Sequence, residues 1–200
     1  MSGTTNKIVI ASANTGKLRE IGKILAGLDR EFISQSELGI SPVTESGETL
    51  VDNALIKARH AAAQSGLPAI ADDSGLLVDT LGGRPGVHSA RYAGEDASDE
   101  DNVDKFLSEL DGLPQEQRGA HYECAAVWVS PDDVVEPLVA EGQWHGRILC
   151  SRRGAGGFGY DPVFLDIQMN KTGAELSLDE KNRLSHRGKA FLKLRDLLMT

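Results

Sequence analysis

Two neighbouring aspartates, Asp72 and Asp73 in "AIADDSGLLVD", end a short apolar run and are followed by Ser74 and Gly75. Successive residues of a strand point to opposite faces, so the pair is expected to divide. One carboxylate turns to a cleft and the other to backbone or supporting contacts. A carboxylate at a strand end can hold Mg2+, which keeps several waters and takes one or two carboxylates plus phosphate oxygens. Glu45 in "PVTESGETL" offers a second carboxylate. The competing reading makes the two acids caps of a Ser74-Gly75 turn, and Asp52 reads as a first-turn acid that complements a helix dipole.

Cations and backbone amides that could answer an anionic substrate stand elsewhere. In "SANTGKLRE" the small residues Ser12, Ala13, Asn14, Thr15 and Gly16 lead into a helix with Lys17 in its first turn. Free amides at a helix N-terminus beside a lysine make an anion site; a plain βα turn with a solvent-facing lysine is the alternative. Asn53 and Lys57 lie one turn apart on a second helix, in "NALIKARHAA".

Towards the C-terminus, Phe158, Gly159, Tyr160 and Asp161 sit in "GAGGFGYDP". An aromatic between glycines can offer a flat face to a base, or Phe158 and Tyr160 can plug the core beneath a turn. In "EKNRLSHRGKAF" Ser185 reads as an N-cap, with His186 and Arg187 in the first turn. Positive charge there opposes the helix dipole, which ligand contact would offset. A surface pair is the plainer reading.

These residues need elements to place them. "KIVIASAN" predicts a strand ending at Asn14, and "TGKLREIGKILAGL" a helix with Leu18, Ile21, Leu25 and Leu28 on one side. A short strand near "EFIS" precedes a helix carrying Leu50, Ala54, Ala58, Ala61 and Ala62, stopped by Gly66 and Pro68. Two short apolar runs flank the acid pair, and "GGRPGVHSARYAG" reads as loop. Ser98 and Asp101 form a capping-box pattern, opening a helix through "VDKFLSEL". "AHYECAAVWVS" and "VVEPLVAEGQWHGRI" predict a hairpin turning at "PDD", and "SLDE" starts the final helical section. Alternating strands and helices followed by a hairpin predict a mixed α/β fold.

The 200 residues, 40% of them hydrophobic, suit one globular unit in one or two lobes. A formal charge of −9 repels nucleic acid backbones and anionic membranes, so an anionic substrate must meet local cations or a metal. "MSGTTNK" is polar and "IVIA" too short for a signal or membrane span, so a cytoplasmic protein is expected. Cys124 and Cys150 are isolated and read as ordinary thiols. Neither GxxxxGKS/T nor GxGxxG is present.

Taken in order, "SANTGKLRE", "NALIKARHAA", "ADDSGLLVDTLGGRPGVHSARYAG", "GGFGYDPVF" and "ELSLDEKNRLSHRGKA" make the chain resemble the inosine triphosphate pyrophosphatase family, the dITP/XTP pyrophosphatases. The likeness runs from about Ile8 to the last helix. It implies an elongated α/β structure: a mixed twisted sheet with flanking helices and two lobes around a central nucleotide-binding cleft. Residues 1–200 would form one pyrophosphatase domain, in a homodimer.

The implied reaction is Mg2+-dependent hydrolysis of ITP, dITP, XTP or dXTP to the monophosphate and pyrophosphate, which cleanses the nucleotide pool. By that resemblance the loop Ser12, Ala13, Asn14, Thr15, Gly16 and Lys17 holds the triphosphate with Lys57, and Glu45 and Asp73 serve the metal. Asp73 is also the general base and Ser74 a substrate contact. Phe158, Gly159, Tyr160, Asp161, Lys181, His186 and Arg187 enclose base and sugar. The chain departs from the family at Ser12 and Ala13, where Thr-Gly is common, and at Thr44, where relatives carry a second acid.

Hypoxanthine and xanthine present a carbonyl O6 that a donor such as Arg187 can meet, whereas adenine presents an amino group. Such a mismatch is worth on the order of 10⁴-fold. Two alternatives stand beside this reading: a Maf-type pyrophosphatase of other nucleotides, against which "FGYD" and "SHRG" speak, and a nucleotide sensor with no need of Asp73.

Overall fold

The computed structural model describes residues 6–132 and 134–199. Its elements follow as β1 (Lys7–Ile10), α1 (Thr15–Leu25), β2 (Glu31–Ser34), α2 (Leu50–Ser65), β3 (Ala69–Val78), β4 (Pro85–Gly86) and α3 (Asp99–Glu109). After these come β5 (Gly119–Val129), β6 (Leu138–Ile148), β7 (Phe164–Asp166), β8 (Lys171–Thr172), α4 (Leu178–Leu184) and α5 (His186–Leu198). The sheet order is β2-β1-β3-β5-β6-β7-β8, with β4 paired to β3 off that path. β1 runs parallel to both β2 and β3, whereas β3–β4, β6–β7 and β7–β8 are antiparallel. This is the mixed α/β fold that the element pattern predicts, with the sheet and flanking helices that the resemblance implies.

The chain divides into two compact units. The first takes the described residues up to Asp73, then Cys124–Gly142, then those from Arg187 onward; the second is Ser74–Glu123 with Gln143–His186. Strands β3, β5 and β6 each begin in one unit and end in the other.

In the first unit, alternation along β1 explains two apolar layers. Ile8 and Ile10 join Ile70 against Ile21, Ile24 and Leu25 of α1 and Ala190, Phe191 and Leu194 of α5. Val9 and Ala11 point the other way, with Ala69 and Ala71, onto Ala54, Ala58, Ala61 and Ala62 of α2. Parallel strands covered on both faces read as unbroken apolar runs, as "IVIA" does. In the second unit Leu76 and Val78 of β3 pack with Phe106 and Leu110 of α3, Tyr122 of β5, Trp144 of β6, and Tyr160 and Phe164.

Three boundaries differ from expectation. β1 stops at Ile10, and Asn14 is the N-cap of α1, its side chain accepting from the Lys17 amide. β6 starts only at Leu138, because Pro137 lacks a ladder donor and Val134 and Val135 are exposed; the "PDD" turn includes Asp133, which lies outside the described residues.

The third difference bears on the acids. β3 is one ten-residue strand that passes through Asp72, Asp73, Ser74 and Gly75, so there is no turn for the acids to cap. Beyond them Leu76 and Leu77 pair with Gly86 and Pro85 of β4, inside the stretch expected to be loop. Gly75 permits this: a Cβ there would lie 2.6 Å from the Gly86 carbonyl oxygen. Gly75→Ala is therefore expected to cost about 1–3 kcal/mol by overpacking, read as a lowered midpoint of thermal unfolding. An unchanged midpoint would show that β4 moves aside freely. No helix among the described residues is long and apolar enough to cross a membrane.

Candidate active site

The two aspartates divide between separate cation sets. Asp72, 3% exposed, faces Lys17 Nζ at 3.1 Å and Arg187 Nε at 3.1 Å through its Oδ2. Arg187, 2% exposed, donates from Nη1 to Glu20 Oε2 at 2.7 Å, so its guanidinium ties the start of α5 to both α1 and β3. Asp73 instead accepts from Lys57 Nζ at 2.8 Å through Oδ1, and Asn53 Nδ2 lies 3.4 Å from its Oδ2. The same Lys57 ammonium is 2.8 Å from Glu45 Oε1.

The loop carrying Glu45 is fastened to α2 at several points. Thr49 and Asp52 close a capping box at its N-terminus, and the Gly47 amide donates to Asn53 Oδ1 at 2.8 Å. His60 Nε2 lies 3.0 Å from the Ser41 carbonyl. Asn53, fully buried, thus holds the loop with its oxygen and turns its amide nitrogen to Asp73.

These surroundings push the two carboxyls apart. Burial alone would raise Asp72, but Lys17, Arg187 and Lys57 outweigh it and hold the carboxyl well below the usual range. For Asp73 burial dominates, Lys57 only partly offsets it, and Glu45 adds to it, so the carboxyl lies above the usual range. Lys57 is pulled down by burial, yet Asp73, Asp72 and Glu45 together keep it above its ordinary value. One acid is thereby a fixed anion that anchors cations, and its neighbour a carboxylate readier to take a proton.

In the second unit, Asp161 is 3% exposed and its Oδ2 meets Lys181 Nζ at 2.5 Å and the Phe158 amide at 2.9 Å. Gly157 and Gly173 press against that carboxylate so closely that a Cβ at either would overlap it. Lys181 Nζ also lies 4.6 Å from the centre of the half-buried Phe158 ring. Tyr160 belongs to the core: it is 4% exposed and its hydroxyl donates to the Ser89 carbonyl at 2.8 Å. The buried His186 ring stacks on Tyr122 at 4.4 Å between centroids. Ser74, half-buried, is the first residue of this unit.

Of the residues singled out in the sequence, the first unit gathers Lys17, Glu45, Lys57, Asp72, Asp73 and Arg187. The second gathers Phe158, Asp161 and Lys181, with His186 on its own aromatic stack. Ser12 Oγ accepts from the Asn14 amide at 3.2 Å and Asn14 Oδ1 from the Lys17 amide at 3.0 Å, so part of the expected amide cradle is taken by its own loop. Glu20 escapes sequence reasoning because one glutamate in a helix reads as solvated surface. Tyr122 and Trp144 lie in the two runs expected to form strands, and nothing in those runs set them apart.

The Ham1 family model matches residues 8–197. A protein of Yersinia pseudotuberculosis called dITP/XTP pyrophosphatase is 50% identical over 96% of this chain and 98% of its own length. One of the same name from Methylococcus capsulatus is 55% identical over 92% of each chain. The solved structure of a HAM1 protein from Coxiella burnetii superposes with a TM-score of 0.87 at 44% identity, covering 96% of this chain and 98% of that one. With sequence and fold agreeing over nearly the whole length, the chain belongs to the Ham1 family.

Proposed function

We propose that the chain hydrolyses the deaminated purine nucleoside triphosphates ITP, dITP, XTP and dXTP to monophosphate and pyrophosphate. The observation that carries this reading is the split acid pair of β3, which sets the Asp73 carboxylate 2.8 Å from the Lys57 ammonium while Asp72 is taken up by Lys17 and Arg187. Hydrolysis between the α and β phosphates needs a base for water and positive charge for the oxygens that gain negative charge. Asp73 takes the water's proton as the water oxygen bonds to the α-phosphorus. The bond to the bridging oxygen breaks and its electron pair leaves with pyrophosphate. Lys17 and Lys57 bind phosphate oxygens and compensate the growing charge.

The carboxylates suit Mg2+. Glu45 and Asp73 converge on one cation, the Lys57 ammonium, at 2.8 Å each. Among the described residues no group of three His, Cys, Asp or Glu side chains is gathered to hold a metal, and an ion that rides on substrate phosphates needs only one or two carboxylates. When bound, Mg2+ would add Lewis-acid stabilisation of the phosphate oxygens. In the second unit Phe158, Gly159, Asp161, Lys181 and His186 meet base and sugar in this reading. Both units form one pyrophosphatase domain, and the protein works as a cytoplasmic homodimer.

The test is product identity. With ITP, dITP, XTP, GTP and ATP as substrates in Mg2+, pyrophosphate should appear from the deaminated purines far faster than from the other two. Orthophosphate as product, or ATP cleaved as fast as ITP, overturns the reading. Phe158→Ala should raise KM for ITP roughly 5- to 150-fold, the worth of one base–aromatic stack. Inhibition by tripolyphosphate, which has no base, should stay as in the wild type; a parallel loss of both would mean that Phe158 supports the fold instead.

A further inference from the structure

We propose that Asp99 is a positioning residue for purine recognition, holding from α3 the turn that presents Phe158. The proposal rests on the reading of that turn as part of the base pocket. The turn has two amides to satisfy. Phe158 gives its N–H to Asp161, and Gly159, in the left-handed region at φ +57°, gives its N–H to Asp99 Oδ2 at 2.7 Å. Sixty residues separate Asp99 from Gly159 in sequence, so this is a tertiary clamp.

Asp99 can serve as a fixed point because the start of α3 is itself braced. Ser98 and Asp101 close a capping box around it. Asn102, 2% exposed, accepts from the Ala93 amide at 2.7 Å and donates to the Ala90 carbonyl at 3.1 Å. Arg152, just before the glycine-rich stretch, bonds Asp104 Oδ1 at 2.8 Å and the Glu100 carbonyl at 3.3 Å. The glycines around the turn would let it wander. The carboxylates of Asp161 and Asp99 fix its two amides, and with them the plane in which the Phe158 ring meets a base.

An acid in the first turn of a helix also complements the dipole, so charge and acceptor must be separated. Asp99→Ala removes both, whereas Asp99→Asn keeps an acceptor oxygen for the Gly159 amide and removes the charge. With ITP as substrate, Asp99→Ala should raise KM roughly tenfold, the effect of losing one charge-assisted hydrogen bond, with kcat little changed. Asp99→Asn should recover most of that loss, and tripolyphosphate inhibition should be equal in wild type and both variants.

A KM unmoved by Asp99→Ala, an Asn variant no better than the Ala variant, or a weakening of tripolyphosphate in step with ITP would each overturn the clamp. A wild-type protein that releases no pyrophosphate from ITP sinks the activity itself, and the purine role of Asp99 with it. An active enzyme whose KM ignores Asp99→Ala sinks the clamp alone.

Discussion

Asp73→Asn is expected to lower kcat on ITP by about 10²- to 10⁴-fold, the usual worth of a positioned general base. Binding of ITP measured without Mg2+ should hold within severalfold of the wild type. The rate falls because an amide cannot take the proton from the attacking water. Affinity holds because removing a negative charge near the triphosphate does not weaken its contacts with Lys17 and Lys57.

The fold should tolerate the change. Burial is the main reason that the Asp73 carboxyl lies above its ordinary range, so the ionised form is the one the interior resists. A folded-state pKa raised in this way means that the ionised group lowers stability at neutral pH, and a neutral amide relieves that. One local conflict opposes the gain. The new amide nitrogen would face Asn53 Nδ2, donor against donor, where Oδ2 now lies 3.4 Å away. Asn53 cannot flip without giving up the Gly47 amide. An unfolding cost of about 1–3 kcal/mol bounds the effect. Single-turnover rates, equilibrium ITP binding and thermal unfolding separate the three quantities. Pyrophosphate release at the wild-type rate would remove Asp73 as the base and leave the sensor alternative standing.

Local order in the sequence was enough where each element is decided by its own periodicity. The apolar run of β1 and the alanine stripe of α2 both read directly from residue spacing. The acid pair was legible as chemistry but not as structure. Two adjacent carboxylates look like the end of a strand, since the strand cannot bury them unaided. What lets β3 continue is charge from far along the chain: Lys17 and Arg187 at Asp72, and Lys57 at Asp73. Arg187 is 115 residues from Asp72, a distance over which no pattern announces a pairing. The same limit hid Glu20, which is buried against a guanidinium from the last helix. For Tyr160 base contact and core plug were equivalent in sequence, and its burial and its bond to the Ser89 carbonyl could not be read from the chain.

Arg187 carries the largest expected effect on stability. Arg187→Met should cost about 3–5 kcal/mol, because breaking a buried ion network leaves uncompensated charge. In a chain of this size that is a fall in Tm of about 6–20 °C. Asp72 would keep Lys17 but lose the 3.1 Å bond to Nε, and Glu20 would lose the 2.7 Å bond to Nη1. The pH dependence has a definite sign. Burial pushes Asp72 up, and Lys17, Arg187 and Lys57 outweigh it, so the folded carboxyl lies below the ordinary 3.8. Stability from such a group is present above 3.8 and lost as pH falls through the lower folded value. Without Arg187 the folded value rises, the acid-sensitive window moves upward, and the gap between variant and wild type narrows as pH falls. The double variant with Glu20→Gln should be less destabilised than the sum of its single changes, since both remove parts of one network. Additive losses would mean that Arg187 and Glu20 act independently, and a wild-type Tm in Arg187→Met with only KM altered would mean that the guanidinium serves the ligand and not the fold.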